Sequence, residues 1–187
     1  MNQKELNKVN MSEWEDDGSY ETKFQLRLTG KHALAVGKWQ YEEQHGVDLR
    51  RYSYNENRLL AEGISLTADN IQKLYNVIYS LHDDEYFTNF GGKDNSEYEK
   101  TIEIDDGLTL STGIFESYIH KYFCINMKDE TGNPVKKSFY TSIRIMIRFD
   151  TMPEFLNECQ SCELVKTSKP LTEGKRPIDK KTGKKIY

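Results

Sequence analysis

The spacing of hydrophobic residues is the feature of this chain that most limits the folds available to it. From Tyr20 onward, hydrophobic and polar residues alternate with a period of two, as in a half-buried β-strand. Such segments cover residues 20–28, 33–39, 47–54 and 59–66. The period then becomes helical, because Ile71, Leu74 and Ile78 recur on one face. This pattern predicts four strands followed by one helix.

The same order of elements is predicted again about 80 residues further along the chain. Alternating segments cover residues 101–104, 108–115, 119–127 and 135–148, and a short helix is predicted to begin near Asp150. This repetition predicts an α+β fold of two tandem ββββα units, at residues 20–84 and 98–162. The remaining segments are predicted to be a flexible acidic arm at 1–19, a linker at 85–97 and a basic tail at 163–187.

Composition and charge narrow the class of protein. No apolar run approaches the roughly 20 residues that a membrane helix needs, and the first residues lack the apolar core of a signal peptide. We therefore expect a cytoplasmic protein whose three cysteines are reduced. The formal net charge of −4 conceals segments of opposite sign, because the tail from residue 166 to 187 carries eight basic and only two acidic residues. Such a distribution is compatible with a nucleic-acid partner.

Three stretches of the first unit carry a family resemblance. They are LAVGKW (34–39), VDLRRYSYN (47–55) and AEGISLTADNIQKLYNVI (61–78). The region 32–78 resembles the positive cofactor four family of single-stranded DNA-binding transcriptional coactivators, which includes phage members. The resemblance implies a curved four-stranded antiparallel sheet backed by a helix, with paired units that present a groove to a single strand. In this chain it implies an intramolecular pseudo-dimer or a homodimer.

The resemblance also assigns site residues. Trp39 falls on the family's stacking aromatic position, with Lys38 beside it. Arg50 falls on a basic position of the third strand, and Arg58 falls near a lysine of the loop that follows. The implied partner is single-stranded DNA, or RNA, bound without catalysis during transcription, replication or recombination.

Three departures from the family pattern favour a different function. Ser53 stands where an aromatic residue is often found, and Glu62 replaces a basic residue. The loop at 41–46 is longer and more acidic than the family's short basic turn. The alternative is an interaction or scaffold protein that keeps the fold but does not bind nucleic acid.

Single-strand binding requires cations for the phosphates and aromatic faces for the bases. Basic and aromatic residues interleave on several predicted strands of both units. The predicted binding residues are Lys38, Trp39, Arg50, Arg51, Tyr52, Tyr54 and Arg58 in the first unit and Lys121, Tyr122, Lys136, Lys137 and Arg144 in the second. Further candidates are Lys23, Arg27, Tyr118, His120, Tyr140 and Arg148.

The sequence does not indicate an enzyme, a metal or a cofactor. Cys159 and Cys162 have the spacing of a metal or redox pair, but a zinc site needs a second pair. A metal-dependent nuclease would require several acidic residues to converge in space. The candidates for such a cluster are Asp83, Asp84, Glu103, Asp105 and Asp106.

Overall fold

The structure is a computed structural model that describes residues 1–81 and 95–166. Most of the predicted linker and the predicted basic tail from residue 167 onward lie outside the described residues. Asp83 and Asp84 lie outside them as well. Within the described ranges, no helix is long and apolar enough to cross a membrane.

The N-terminal segment, residues 1–19, forms two short helices where the sequence predicted a flexible arm. They are α1 (Gln3–Leu6) and α2 (Met11–Asp17). Leu6 and Met11 are buried in a small hydrophobic cluster with residues of the first sheet. Met1, Val9 and Trp14 pack against the same cluster, so in this structure the segment lies on the first sheet.

The first unit has the strands and helix that the alternating pattern predicted. Strands β1 (Tyr20–Arg27), β2 (His32–Tyr41), β3 (Gln44–Ser53) and β4 (Arg58–Thr67) form an antiparallel sheet in the order β1-β2-β3-β4. Helix α3 (Ala68–Leu81) follows β4 directly and packs against the inner face of this sheet. The opposite, outer face carries Trp39, Asp48 and Arg50, and the N-terminal segment packs on it.

The second unit repeats this arrangement with shorter strands. Strands β5 (Thr101–Glu103), β6 (Thr109–Glu116), β7 (Lys121–Lys128) and β8 (Arg144–Arg148) form an antiparallel sheet in the order β5-β6-β7-β8. Short 3₁₀ turns precede β5, follow it and follow β8. Helix α4 (Met152–Ser161) completes the unit. The prediction of two four-stranded antiparallel sheets, each followed by a helix, is therefore confirmed.

The predicted long strand at 135–148 is wrong, because only its last five residues form β8. The residues before β8 make a small hairpin, in which Lys137 N–H donates to the carbonyl of Thr141 at 2.8 Å. The Ile143 N–H likewise donates to the carbonyl of Val135 at 2.8 Å. Since β7 ends at Lys128, an unbroken strand would leave half of its backbone groups without a partner. The hairpin satisfies those groups locally.

The two units pack directly against each other. One continuous hydrophobic core contains residues of both sheets and of α3 and α4. The ring of Phe24 in β1 meets the ring of Phe155 in α4 edge to face, with 6.4 Å between centroids. The Gln160 side-chain amide of α4 donates to the Tyr75 hydroxyl of α3 at 2.6 Å. The two units therefore share one hydrophobic core, and a hydrogen bond joins α3 to α4.

Candidate nucleic-acid interface

Trp39, the predicted stacking residue, lies on the outer face of the first sheet with only 1% of its surface exposed. Its indole N–H donates to the carbonyl of Leu66 at 3.2 Å. A Cβ atom at Gly46 would clash with the backbone carbonyl oxygen of Leu66 and with the Trp39 indole ring. Glycine at this position is therefore required by the close approach of both groups. In this structure the Trp39 ring is covered and cannot contact a base.

Arg50, the predicted phosphate contact of β3, is part of a buried ion pair. Its guanidinium donates to both carboxylate oxygens of Asp48, at 2.9 and 2.7 Å. It also donates to the carbonyl of Ala61 at 3.0 Å and to the Ser65 hydroxyl at 3.2 Å. Burial alone would lower the Arg50 pKa, but the adjacent Asp48 carboxylate raises it above the ordinary value. Arg50 is thus a fully bonded structural residue and not a free cation.

Two further predicted residues of the first unit also have protein partners. Arg51 pairs with Glu62 at 2.9 Å, and the same guanidinium approaches the ring of His32 at 3.0 Å. Arg58 pairs with Glu56 in the loop before β4. The acidic residue at Glu62, noted above as a departure from the family pattern, therefore neutralises the cation opposite it.

The remaining predicted residues of the first unit do not converge on one groove. Lys38 is half-buried in β2. Tyr52 is half-buried and donates its hydroxyl to the Asn57 side chain. Tyr54 is 47% exposed and lies beyond the end of β3, with its ring edge to face against Tyr52. Sheet one therefore offers one exposed predicted aromatic at its end and a covered outer face.

The turn between β6 and β7 brings predicted residues of the second unit together with exposed rings. We define the hairpin tip as residues 115–122 together with Arg148 of the neighbouring strand β8. The most exposed apolar side chains of the tip are Tyr118 (104%), Ile119 (78%) and Phe115 (52%). Strand pairing places Phe115 opposite Tyr122, and Tyr122 opposite Arg148, in one row across the sheet.

Tyr122 organises the hairpin tip from below. It is buried, and its hydroxyl donates to the carbonyl of Leu28 in the first unit at 3.3 Å. The rings of Phe115 and His120 lie with centroids 6.2 and 6.3 Å from its own. The predicted residue Tyr122 is therefore a support for exposed rings and is itself inaccessible to a base.

A cleft of about 320 Å³ opens at the hairpin tip and is lined by both ring and charged side chains. Its lining residues are Ile119, His120, Lys121, Arg148, Phe149 and Asp150. Lys121 lies 5.6 Å above the centre of the Phe149 ring and pairs with Glu116 at 3.2 Å. The hydrogen bond between Arg148 and Asp150 raises the arginine pKa and lowers the carboxyl pKa. The cleft therefore combines two fixed cations with aromatic walls.

The 135–142 hairpin lies at the other end of the second sheet. Its predicted binding residues have different surroundings. Lys137 is half-buried, and its ammonium donates to the carbonyl of Val9 at 2.9 Å. Lys136 lies 5.8 Å above the Phe139 ring, and both Phe139 (80%) and Tyr140 (92%) are exposed. Lys136 and Tyr140 thus belong to a second exposed cluster, while Lys137 fastens the N-terminal segment.

Arg144 projects from β8 between these two ends and is exposed. It lies four residues from Arg148 on the same face of the sheet, a distance of about 13 Å along the strand. Between them, Gly113 of β6 has no atom within 4 Å of the position where a Cβ would stand. The outer face of the second sheet is therefore open beside Gly113, with an arginine at each end of β8.

Three exposed residues of these clusters, Phe115, Ile119 and Phe139, were not among the predicted site residues. Phe115 and Phe139 lie within the strands predicted at 108–115 and 135–148, and neither was selected as a binding residue. The signal that distinguishes them is their position next to turn residues, such as Ser117 and Ser138. In this structure both rings lie on the solvent side of their turns.

Two acidic residues of the nuclease alternative, Asp105 and Asp106, contact other parts of the chain. Asp105 accepts from the Asn70 amide at 3.0 Å and lies 3.7 Å from the Lys73 ammonium. Asp106 accepts from the Lys4 backbone N–H at 3.2 Å. Among residues 1–81 and 95–166, no group of three or more His, Cys, Asp or Glu side chains is placed to hold a metal ion.

No protein-family model and no curated protein sequence matches this chain. Among solved structures, the chain is similar to the plant transcriptional regulator PBF-2, with a TM-score of 0.33 and 12% sequence identity. That match covers 74% of this chain and 82% of the other. A TM-score of this size lies below the level at which two chains share a fold.

Proposed function

We propose that this protein binds single-stranded nucleic acid without catalysing a reaction, and that the hairpin tip of the second unit is its main contact. The observation that carries the proposal is that the exposed rings of Phe115 and Tyr118 share the hairpin tip with the cations of Lys121 and Arg148. DNA is the proposed partner, in transcription, replication or recombination, and RNA has the same stacking and phosphate chemistry.

The energetics of the tip suit a sequence-independent contact. Stacking of a base on an exposed ring contributes about 1–3 kcal/mol for any base. Lys121 and Arg148 are paired with Glu116 and Asp150, and the two carboxylates are the more exposed members of these pairs, at 58% and 41% against 17% and 18% for the cations. A phosphate that approaches from solvent would compete with these carboxylates for the two cations. Arg144, at the other end of β8, would contact a more distant phosphate of the same nucleic-acid strand.

One observation favours the alternative of a protein partner. Ile119 is 78% exposed at the centre of the tip, and an aliphatic side chain offers no stacking face to a base. Together with Phe115 and Tyr118 it forms an exposed apolar patch of the kind that protein partners bury. Because both cations of the cleft already have carboxylate partners, this patch would suit a protein partner with an uncharged apolar surface.

The experiment is a fluorescence anisotropy titration with labelled oligo-dT of about 16 nucleotides at two salt concentrations. We expect binding at low salt that weakens at high salt and is reduced several-fold by Tyr118→Ala and by Lys121→Ala. The matched control is Tyr140→Ala, which removes an equally exposed ring from the opposite end of the sheet.

Each outcome of this titration decides a point. If the natural chain does not bind at low salt, the proposed function is wrong and the scaffold alternative gains. If only Tyr140→Ala weakens binding, the protein binds single strands through the 135–142 hairpin and not through the hairpin tip.

A further inference from the structure

We propose that helix α2 is a displaceable cover, in which Trp14 occupies an aromatic site on the outer face of the first sheet that a base takes when α2 leaves. This inference rests on the proposed function and concerns its regulation. Helix α2 would compete with the nucleic acid for the same aromatic site. The relevant site consists of Trp39 and Tyr41 of β2, and Lys137 holds the chain at Val9, just before α2.

The first line of support is the ring geometry around Trp14. Its ring lies parallel to the ring of Tyr41, with an interplanar angle of 11° and 5.7 Å between centroids. Its edge also meets Trp39, with centroids 5.9 Å apart. A base held by two aromatic side chains would use the same two surfaces. Trp14 therefore stands where a nucleobase can stack.

The second line of support is charge. Helix α2 has the sequence MSEWEDD, in which four acidic residues surround the tryptophan and no basic residue is present. The acidic side chains Glu13, Glu15, Asp16 and Asp17 are exposed. The Glu15 carboxylate acts electrostatically on Tyr20 of the outer face. Trp14 and the surrounding carboxylates therefore resemble a base flanked by phosphates.

The third line of support is how differently the two N-terminal helices are held. Helix α1 is anchored through Gln3, whose buried side chain bonds to Ser65 and Asn70. Helix α2 has seven residues and only one fully buried side chain, Met11. A helix of this length is not stable by itself, so it depends on its contacts with the sheet. Helix α2 can therefore detach while α1 and β1 retain its two ends.

The surface beneath the cover can hold a phosphate after α2 leaves. Lys137 uses its ammonium to bind the carbonyl of Val9, just before α2. Arg50 and Asp48 lie within electrostatic reach of Lys137, and together the three groups carry one net positive charge. A phosphate oxygen is a stronger acceptor for an ammonium than a peptide carbonyl is. When Val9 moves together with α2, Lys137 exchanges its carbonyl contact for a stronger one to phosphate.

The test uses the full chain and the fact that it contains only two tryptophans. Trp14→Ala removes the occupant and leaves Trp39 as the single fluorescent tryptophan. We expect a several-fold lower Kd for labelled oligo-dT, together with quenching of the Trp39 emission when the oligonucleotide binds. Equal Kd values for the natural chain and the variant, with unchanged Trp39 emission, would overturn the proposal and leave the hairpin tip as the binding site.

A double variant tests whether the increase in affinity caused by Trp14→Ala arises at Tyr41. Tyr41 is 44% exposed, so Tyr41→Ala is compatible with the fold, which circular dichroism verifies. The gain from Trp14→Ala is expected to disappear in the variant that carries both substitutions. A gain that persists in the double variant arises elsewhere and contradicts a site at Tyr41.

The same measurements separate this proposal from the function on which it rests. Binding by neither the natural chain nor Trp14→Ala at low salt overturns both. Binding that appears only in Trp14→Ala and is insensitive to an added Tyr118→Ala supports the covered site and overturns the assignment to the hairpin tip.

Discussion

The side-chain amide of Gln3 donates to the backbone carbonyl of Ser65 at 2.7 Å, across 62 residues of sequence. The amide oxygen of the same side chain accepts from the Asn70 side chain at 2.9 Å and from the Thr67 backbone N–H at 3.4 Å. Gln3 thus bonds a carbonyl and an N–H of β4, as the backbone of a neighbouring strand would. Strand β4 is at the edge of its sheet, so this side chain also satisfies groups that could otherwise pair with another chain.

Replacing Gln3 is therefore expected to destabilise the chain. Gln3→Ala leaves the Ser65 carbonyl and the Asn70 amide without this partner, at a cost of about 1–3 kcal/mol. Urea denaturation measures the loss. The matched control is Gln25→Ala in the exposed part of β1, for which we expect less than about 0.5 kcal/mol. Equal losses for the two variants would show that the buried amide bonds contribute nothing.

The Asp48–Arg50 pair gives a second prediction. Asp48→Ala leaves a buried guanidinium without its counter-charge and is expected to cost about 3–5 kcal/mol. The double variant Asp48→Ala/Arg50→Met removes both charges and is expected to lose clearly less than Asp48→Ala alone. Chemical denaturation of the two variants provides the comparison. A double variant as unstable as the single one would mean that the pair itself stabilises the fold.

Lys137 gives a prediction about pH. Burial, followed by the charge of Arg50, lowers the Lys137 pKa from 10.5 to about 8. Between these values the unfolded chain binds more protons at this position than the folded chain, so the free energy of unfolding rises with pH. The natural chain should therefore gain stability over Lys137→Met as the pH increases from 8 to 10.5.

The control for this pH series is Lys136→Met, which removes an exposed amine from the adjacent position. Because Lys137 is intact in that variant, the stability of the natural chain relative to it should not rise over the same interval. Denaturation midpoints at several pH values provide the readout. A natural chain and Lys137→Met with parallel pH profiles would contradict the assigned shift.

The burial of α3 and α4 in one shared core predicts the solution mass. Each helix places its apolar side against the shared core, and the Gln160–Tyr75 hydrogen bond joins the two. The described helices therefore have no free apolar face through which a second chain could pair. We expect light scattering to give the mass of one chain, 21.9 kDa, in accordance with an intramolecular pseudo-dimer. A mass of two chains that does not change on dilution would argue for the homodimer.

Local periodicity was sufficient to predict the first sheet and α3, because Leu34, Val36 and Leu49 alternate with residues of the opposite face. It could not show that this opposite face is covered. The cover comes from residues 1–19, and its docking depends on long-range contacts such as Trp14 with Trp39. A pattern in β2 and β3 contains no information about those contacts, so Trp39 and Arg50, assigned as binding residues by the family resemblance, could not be recognised as covered.

For the second unit, the sequence-based prediction was wrong at a different point. Lys136 and Lys137 continue the alternation of 143–148 and so resemble the start of the same strand. The turn at Ser138–Thr141 depends on where β7 ends, which is a property of the partner strand. The basic and aromatic residue types around Lys121 were predicted from the sequence, whereas the cleft at the hairpin tip requires the register of β6, β7 and β8.

The shared core also determines how the chain loses its structure. Because Phe24 of β1 packs on Phe155 of α4 and Tyr122 bonds to Leu28, neither sheet can melt without exposing apolar surface of the other. Unfolding should therefore be cooperative across both units. The repeat that divides this sequence into two similar halves does not divide the molecule, because each half is part of the interior of the other.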